Sequence, residues 1–202
     1  MSAAAGSQAV RVLDPVVVAI AASAGGVQAP LALTAALPAA VLVAQHLAET
    51  PASHLAQVLA RRCPLPVRTA VDGDSVRPGL VLVCPGGSHL LLAPGPRLWL
   101  PSDGPVNFVR PSADRLFESL ARTCGRHAIA VVLSGSGRDG AVGVRAVKAA
   151  GGTVIVEDRT TAQFYGMPKA AIRSGAADLV LPIQDIPGVL VGLILETCNE
   201  PN

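Results

Sequence analysis

Two uninterrupted apolar runs, at residues 16–20 and 128–133, constrain the fold of this chain more than any other feature. Neither run alternates between apolar and polar side chains, so neither is typical of a strand with one face in water. An unbroken apolar strand is buried on both faces, which is the environment of a parallel sheet covered by helices on each side. The rest of the sequence should therefore supply helices for both faces.

Short β-branched runs do alternate with stretches of helical periodicity. Strands are predicted at residues 16–20, 40–44, 67–71, 80–84, 128–133, 153–156 and 179–181. A helix is predicted to begin after Ser112, because serine is a favourable N-cap, Asp114 suits the first turn, and apolar residues recur every four positions from Leu116. Further helices are predicted over residues 186–194 and 55–59. This order predicts an α/β fold, a Rossmann-like three-layer α/β/α architecture doubly wound around a mostly parallel sheet.

One segment departs from the alternation. Residues 89–100, "HLLLAPGPRLWL", predict a β-hairpin on the edge of the sheet, with two short strands around a Pro-Gly turn. Residues 1–14 are small and polar and predict a flexible N-terminal arm. The chain of 202 residues is half hydrophobic and carries no internal repeat or interdomain linker. It therefore predicts a single domain over residues 15–198.

Charge and cysteine content exclude several classes of protein. The 16 basic and 14 acidic residues nearly balance, and aromatic residues are 2% of the chain, so neither a nucleic-acid footprint nor a stacking platform is indicated. The four cysteines form no C-x-x-C pair, which favours buried, reduced thiols in a cytoplasmic protein. No His and Cys residues cluster at metal-ligand spacing, so no metal site is predicted.

The first apolar run also has features of a secretory signal. Arg11 precedes it, and Ala22, Ser23 and Ala24 mimic a cleavage site. Against this interpretation, Asp14 and Pro15 directly precede the short run, and no apolar stretch approaches the length of a membrane span. A cytoplasmic protein without membrane insertion is predicted.

Four of the predicted strands are followed directly by polar side chains. Ser23 follows the first, His46 the second, Ser88 and His89 the fourth, and the segment 134–139 the fifth. Open α/β sheets bind ligands beyond the carboxyl ends of their strands, so these residues are the candidates for chemistry. The adjacent Ser88 and His89 suit a loop better than a nucleophile and its base.

Ser23, His46 and Asp139 supply the groups for nucleophilic acyl transfer. An imidazole can accept the proton of a serine hydroxyl, and a buried carboxylate can orient the imidazole. Gly25 and Gly26 would let a helix begin close to the strand, with its N–H groups aimed at an oxyanion.

Each of these residues also has an ordinary structural interpretation. Ser23 could be a helix N-cap, His46 a buried structural histidine, and Asp139 a cap for the helix that follows it. A phosphate-binding turn is less well supported, because "AASAGG" lacks both the G-x-G-x-x-G order and a G-K-[ST] sequence. There is no G-x-S-x-G elbow either.

Taken together, several segments resemble the catalytic domain of the chemotaxis protein-glutamate methylesterases (CheB). They are "IAASAGG", "VAQHL", "DGDSVRPGLVLVCPGGSHL", "VNFVRPSADRLFESLA", "VVLSGSGRDGAVG" and "YGMPKAAI", which lie in order across residues 16–195. The resemblance implies a serine hydrolase with Ser23 as nucleophile, His46 as base and Asp139 as orienting acid. It also implies an oxyanion or site-lining role for Ala24, Gly25, Gly26, Ser136 and Gly137.

The activity that this resemblance implies is hydrolysis of glutamate γ-methyl esters on a chemoreceptor or a similar helical signalling protein. Methanol would be released, and deamidation of glutamine would be a second activity. No cofactor and no metal are implied, and a separate regulator is a further expected partner. Because family members usually carry an N-terminal receiver domain, the short arm predicts a stand-alone hydrolase that is not gated by phosphorylation in cis.

The chain departs from the family pattern at three positions. Ala24 stands where a threonine is usual, Ser136 where a methionine is common, and Val109 where a histidine is common. Two of these positions lie at or beside the expected active turns. The alternatives are therefore a CheB-like binding module with weakened catalysis, or an esterase with a different substrate.

Overall fold

The computed structural model describes residues 16–23, 38–46, 54–95 and 97–199, and the predicted arm at 1–14 lies outside them. In chain order the described elements are β1 (Val16–Ala22), β2 (Ala39–Gln45), α1 (Leu55–Ala60), β3 (Val67–Thr69), β4 (Val81–Val83), β5 (Leu91–Ala93), β6 (Arg97–Trp99), α2 (Ala113–Cys124), β7 (Ala128–Val132), α3 (Gly143–Ala149), β8 (Thr153–Glu157), α4 (Gly166–Arg173), β9 (Leu179–Leu181) and α5 (Ile186–Asn199).

Seven of the strands form one parallel sheet, in the order β3-β4-β2-β1-β7-β8-β9. Strands β1 and β7 are buried at every position, as their unbroken apolar sequences predict. Side chains of β1 alternate between two hydrophobic clusters, with Val17 in one cluster and Val18 in the other. The central strands thus contribute to the core on both sides of the sheet.

Helices cover both faces of this sheet. Leu116 and Phe117 of α2 belong to one cluster together with residues of α3 and α4, and Leu59 of α1 and Leu190 of α5 belong to the other. Each fully buried side chain of this size contributes about 1.5–3 kcal/mol to the free energy of folding. The predicted three-layer α/β/α fold is confirmed.

The local predictions agree with the structure at the start of α2 and differ from it at the ends of some other elements. Helix α2 begins after Ser112, whose Oγ accepts a hydrogen bond from the Arg115 backbone N–H at 3.4 Å. The C-terminal helix is longer than predicted and continues to Asn199. Strand β3 ends at Thr69, two residues earlier than predicted, and Val71 beyond it is exposed. Helix α4 has no counterpart among the predicted elements.

The predicted placement of the hairpin is wrong. Strands β5 and β6 form a separate two-stranded antiparallel sheet, whereas the edges of the main sheet are β3 and β9. The Leu92 N–H donates to Ser119 Oγ of α2 at 3.0 Å, and the Leu98 N–H donates to the Asp74 carbonyl at 2.8 Å. Because its buried leucines join the cluster that contains α2, the hairpin packs over that helix rather than extending the sheet.

A two-residue turn before α2 has a phenylalanine, Phe108, at a position where glycine is favoured. Val106 and Val109 exchange two backbone hydrogen bonds of 3.0 Å, and Asn107 and Phe108 between them have φ of 51° and 67°. Positive φ at both central residues is the type I′ geometry that favours Asn-Gly. Phe108 is 99% exposed, so the structure offers no packing that offsets the strain of its backbone.

Replacing Phe108 with glycine is expected to raise the free energy of unfolding by about 0.5–1 kcal/mol, because relief of the left-handed backbone outweighs the entropy that glycine adds to the unfolded chain. Urea denaturation measures the change. Phe108→Ala is the matched control, since it removes the ring and keeps the strain. Equal stabilisation by both variants would show that the exposed ring, not the backbone, is responsible.

The prediction of buried cysteines holds for only part of the set. All four thiols are free, and Cys63 and Cys84 are buried, but Cys124 is half-buried and Cys198 is exposed. Burial raises the pKa of the Cys84 thiol to about 12. Cys63 and Cys84 therefore serve as small apolar side chains in the core.

Among the described residues, no helix combines the length and apolar character needed to cross a bilayer.

Candidate active site

Three of the polar strand ends meet at one edge of the sheet because their strands are neighbours. Strand β1 lies between β2 and β7, and all three run parallel. The Ser23 N–H donates to the Ser134 carbonyl at 3.0 Å, and the His46 N–H donates to the Ala22 carbonyl at 2.9 Å. The ends of β1, β2 and β7 are thereby held side by side, which brings residues from distant parts of the chain into one site.

His46 and Asp139 are in direct contact. His46 Nε2 lies 2.8 Å from Asp139 Oδ2, and both side chains are largely buried. With Nε2 committed to the carboxylate, Nδ1 is the ring nitrogen that can accept a proton from a hydroxyl. This is the pairing of an orienting acid with a base that acyl transfer requires.

Ser23 lies against the turn that follows β7. A Cβ built on Gly135 would come within 2.9 Å of the Ser23 Cβ, so only glycine permits this approach. The Ser23 carbonyl also accepts a hydrogen bond from Gln45 Nε2 at 3.3 Å. Backbone contacts with the turn and with Gln45 therefore position Ser23, and its side chain is half-buried.

Asp139 is anchored at the N-terminus of α2. Its carboxylate accepts from Ser112 Oγ at 3.1 Å, from the Ala113 N–H at 2.5 Å and from the Asp114 N–H at 3.1 Å. A helix N-terminus favours a negative charge at this position. Both oxygens of Asp139 are thus held by the start of α2, and Oδ2 contacts His46 as well.

The structure corrects the interpretation of Asp139 as a cap for the following helix. The N–H groups of Val142, the residue before α3, and of Gly143, its first residue, donate instead to Asp114 Oδ1 at 2.9 and 2.8 Å. Asp139 caps α2, and Asp114 of α2 in turn caps α3. The loop after β7 folds back onto the earlier helix, a long-range contact that local sequence does not encode.

The two carboxylates differ in their pKa values. Burial acts to raise the pKa of Asp139, but the hydrogen bonds from His46, Ala113 and Asp114 outweigh it, and that pKa lies below the ordinary value of 3.8. Burial, reinforced by the nearby charge of Asp139, raises the pKa of Asp114. Asp139 is therefore the carboxylate that carries a negative charge beside the imidazole.

His89 supports the site from outside it. Its Nδ1 accepts from the Ser112 N–H at 3.0 Å and its Nε2 lies 3.2 Å from the Gly104 carbonyl. Burial lowers the pKa of this imidazole, so the neutral form with its proton on Nε2 fits both contacts. Both ring nitrogens are engaged by these contacts, and His89 fixes the start of α2. Its position after a buried strand was the one sequence signal for this role.

The turn after β7 is attached to the segment that leads into α4. The Gly135 N–H donates to the Phe164 carbonyl at 2.9 Å, and the Phe164 N–H donates to Ser134 Oγ at 3.0 Å. Below the turn, the buried Glu157 accepts from the Ser134 N–H at 2.7 Å and from Thr161 Oγ1 at 3.1 Å. Burial raises the pKa of Glu157. Sequence analysis identified neither Glu157 nor Gly166, the first residue of α4, as part of this support.

Of the predicted lining residues, Ser136 and Gly137 lie on the exposed side of the turn, and Gly137 has a φ of +85°. A Cβ built on Gly166 would lie 2.7 Å from the Gly137 backbone N and 3.0 Å from the Gly135 carbonyl oxygen. The other predicted lining residues, Ala24, Gly25 and Gly26, lie outside the described residues.

Replacing Gly166 with alanine is expected to lower turnover at this site at least about tenfold and the free energy of unfolding by about 1–3 kcal/mol, because the methyl group meets backbone atoms that cannot rotate away. Gly192→Ala is the matched control. Nothing lies within 4 Å of a Cβ built at Gly192, in the middle of α5, so that change should stabilise the protein by about 0.5–1 kcal/mol. Urea denaturation and an ester-hydrolysis assay measure both variants. Full activity in Gly166→Ala would show that the turn tolerates displacement.

The described residues contain no group of three or more His, Cys, Asp or Glu side chains that could hold a metal ion. The structure brings the His46 imidazole and the Asp139 carboxylate into contact, and it places Ser23 at the adjacent strand end without a hydrogen bond between Ser23 Oγ and the imidazole. Such a set can carry out nucleophilic acyl transfer without a cofactor.

Most of the chain is similar to one protein family. The family model described as CheB methylesterase matches residues 18–190. A crystal structure of the Thermotoga maritima CheB methylesterase catalytic domain superposes with a TM-score of 0.84 at 38% sequence identity, covering 89% of this chain and 98% of that one.

Several curated relatives carry the name protein-glutamate methylesterase/protein-glutamine glutaminase. One from Anaeromyxobacter dehalogenans is 46% identical over 95% of this chain and 58% of its own length, and one from Moorella thermoacetica is 41% identical over 88% and 44%. The chain spans about half the length of the curated relatives it matches.

Proposed function

Because the chain belongs to the CheB methylesterase family, we propose that it hydrolyses γ-methyl esters of glutamate side chains in a protein substrate. Residues 15–198 would form one catalytic domain. The observation that carries the proposal is the 2.8 Å contact between His46 Nε2 and Asp139 Oδ2, at the strand end next to Ser23. This contact gives the imidazole one fixed orientation in which it can act as a base.

In the proposed reaction, Ser23 Oγ attacks the ester carbonyl while His46 Nδ1 accepts the hydroxyl proton. The tetrahedral intermediate collapses when the imidazolium returns that proton to the departing methoxide, which leaves as methanol. Water, activated by the same imidazole, then attacks the acyl-serine and releases glutamate. Each of the two steps forms one C–O bond and breaks another.

The remaining roles follow from charge. The ionised Asp139 stabilises the imidazolium that forms in each step. Backbone N–H groups of Ser136 and Gly137, together with those near Gly25, are the proposed donors to the oxyanion. Main-chain donors do not depend on the side chain, so a serine at position 136 is compatible with this role.

The proposed substrate is a helical signalling protein such as a methylated chemoreceptor. The relatives' common name includes protein-glutamine glutaminase, and we propose the same route for glutamine, with ammonia in place of methanol. Both substrates are neutral side chains of similar length that end as the same carboxylate.

The test is an assay of methanol and ammonia release from helical peptides that contain one γ-methyl glutamate or one glutamine. The expected result is release of methanol, together with loss of the methyl group from the peptide. Mass spectrometry detects that loss. Peptide binding without turnover would favour a binding module. Hydrolysis of small esters with no action on the glutamyl peptide would favour an esterase with a different substrate.

A further inference from the structure

A groove of about 510 Å³ opens beside the candidate active site, between α3 and α4. Four cationic side chains line it: Arg138 and Arg145 on the α3 side, and Lys169 and Arg173 on α4. All four residues are exposed. We call this surface the cationic groove.

The charges of the cationic groove are not neutralised within the described part of the chain. Elsewhere, basic side chains such as Arg68, Arg115 and Lys148 form ion pairs with Asp74, Asp103 and Asp178. None of the four groove cations makes such a pair with a described residue, and no described acidic residue lines the groove. The whole chain has a formal net charge of +2, so four unpaired cations on one surface are a local feature.

The cationic groove is continuous with the candidate site. Gly137 and Gly166, the two glycines whose backbones approach each other at the turn, also line the groove. Gly135, two residues before Gly137, lies against Ser23. The groove is therefore within reach of a polypeptide that presents a side chain to Ser23.

We infer that the cationic groove binds carboxylate side chains of the protein substrate, next to the glutamate that reacts at Ser23. Lys169 and Arg173 are four residues apart on α4, which separates them by about 6 Å along the helix axis. Carboxylates one turn apart on a substrate helix have the same spacing. This inference rests on the proposed function and adds a determinant of substrate selection to it.

The test compares two helical peptides that differ only around one γ-methyl glutamate, which is flanked by glutamates in one and by alanines in the other. We expect R145E and K169E each to raise KM for the glutamate-flanked peptide about fivefold. The KM for the alanine-flanked peptide, which offers no carboxylates to the groove, should change less than the KM for the glutamate-flanked peptide. Both substitutions place an acid near the start of a helix, where it is not destabilising, so lost folding should not contribute.

R122E is the matched control, because it reverses an exposed charge on α2 outside the cationic groove. We expect it to leave both KM values unchanged. Raising the salt concentration to about 0.5 M should remove most of the preference of the parent protein for the glutamate-flanked peptide. Equal KM values for the two peptides in the parent protein, or equal effects of R122E and K169E, would overturn the inference.

Peptide binding to Ser23→Ala, measured by fluorescence anisotropy, separates failure of this inference from failure of the proposed function. Tighter binding of the glutamate-flanked peptide supports the inference even where no ester is hydrolysed. Vesicles of anionic phospholipid are a second probe. Vesicle binding that R145E and K169E abolish, with no preference between the peptides, would assign the groove to a lipid surface and contradict the inference.

Discussion

Replacing Ser23 with alanine is expected to lower kcat for hydrolysis of a glutamyl methyl ester by about 10⁴-fold or more. The change removes the proposed nucleophilic atom, and water must then attack the substrate carbonyl directly. The described hydrogen bonds at Ser23 use its backbone N–H and carbonyl, which alanine keeps. The fold and the free energy of unfolding should therefore stay nearly unchanged, and KM should change little.

Methanol release under single-turnover conditions measures this effect. Ser102→Ala is the control, since Ser102 is exposed and has no proposed role in the reaction. A mass spectrum of the parent protein quenched during turnover should contain an acyl adduct at Ser23 that the variant lacks. Retention of even a tenth of the parent activity in Ser23→Ala would rule out a nucleophilic role for this residue.

Replacing Asp139 with asparagine is expected to lower kcat by about 10³–10⁴-fold, with the site still assembled. An amide cannot stabilise an imidazolium by its charge, and its N–H₂ group favours the wrong tautomer of His46. The substitution also weakens three hydrogen bonds to the start of α2, from Ser112, Ala113 and Asp114. We therefore expect a loss of about 1–3 kcal/mol in the free energy of unfolding as well.

The pH dependence of the free energy of unfolding distinguishes the loss of the Asp139 charge from a general weakening of the fold. The pKa of Asp139 is lower in the folded protein than its ordinary value of 3.8. Its ionised form thus stabilises the fold above that value, and this contribution is lost as the pH falls through the folded pKa. The difference in free energy of unfolding between parent and Asp139→Asn should shrink over the same range below pH 4.

Urea denaturation between about pH 2 and pH 7 measures that difference. Glu196→Gln provides the control, because Glu196 lies exposed on α5 and its loss should leave the curve almost unchanged. A constant difference between parent and Asp139→Asn at every pH would mean that the charge of Asp139 contributes nothing to the fold. Unaltered kcat in Asp139→Asn would remove it from the proposed mechanism.

These two predictions differ because the two residues are held differently. Ser23 is positioned through its backbone, so its side chain can be removed at the cost of chemistry alone. Asp139 binds His46 with one oxygen and the start of α2 with both, so in the proposed mechanism its carboxylate serves catalysis and folding together. An activity assay alone cannot separate these roles, whereas activity measured together with the free energy of unfolding can.

Local patterns in the sequence were enough to predict much of the fold. The unbroken apolar runs of β1 and β7 predicted strands covered on both faces, because a strand without a solvent-facing side has no alternating polar positions. The N-cap at Ser112 was predicted correctly, because capping depends on residues within one turn. Strand ends that carry Ser23, His46 and Asp139 were recognised because ligands gather at the carboxyl edge of a parallel sheet.

Contacts between distant segments were decided only by the tertiary structure. The order of the strands brings β1 between β2 and β7, and the loop after β7 turns Asp139 toward α2 rather than α3. The hairpin β5-β6 covers α2, and α4 closes over the turn at Gly166. The cationic groove arises from the same packing of α3 beside α4. Periodicity records whether a residue is buried, but the choice of which elements become neighbours depends on packing summed over the whole chain.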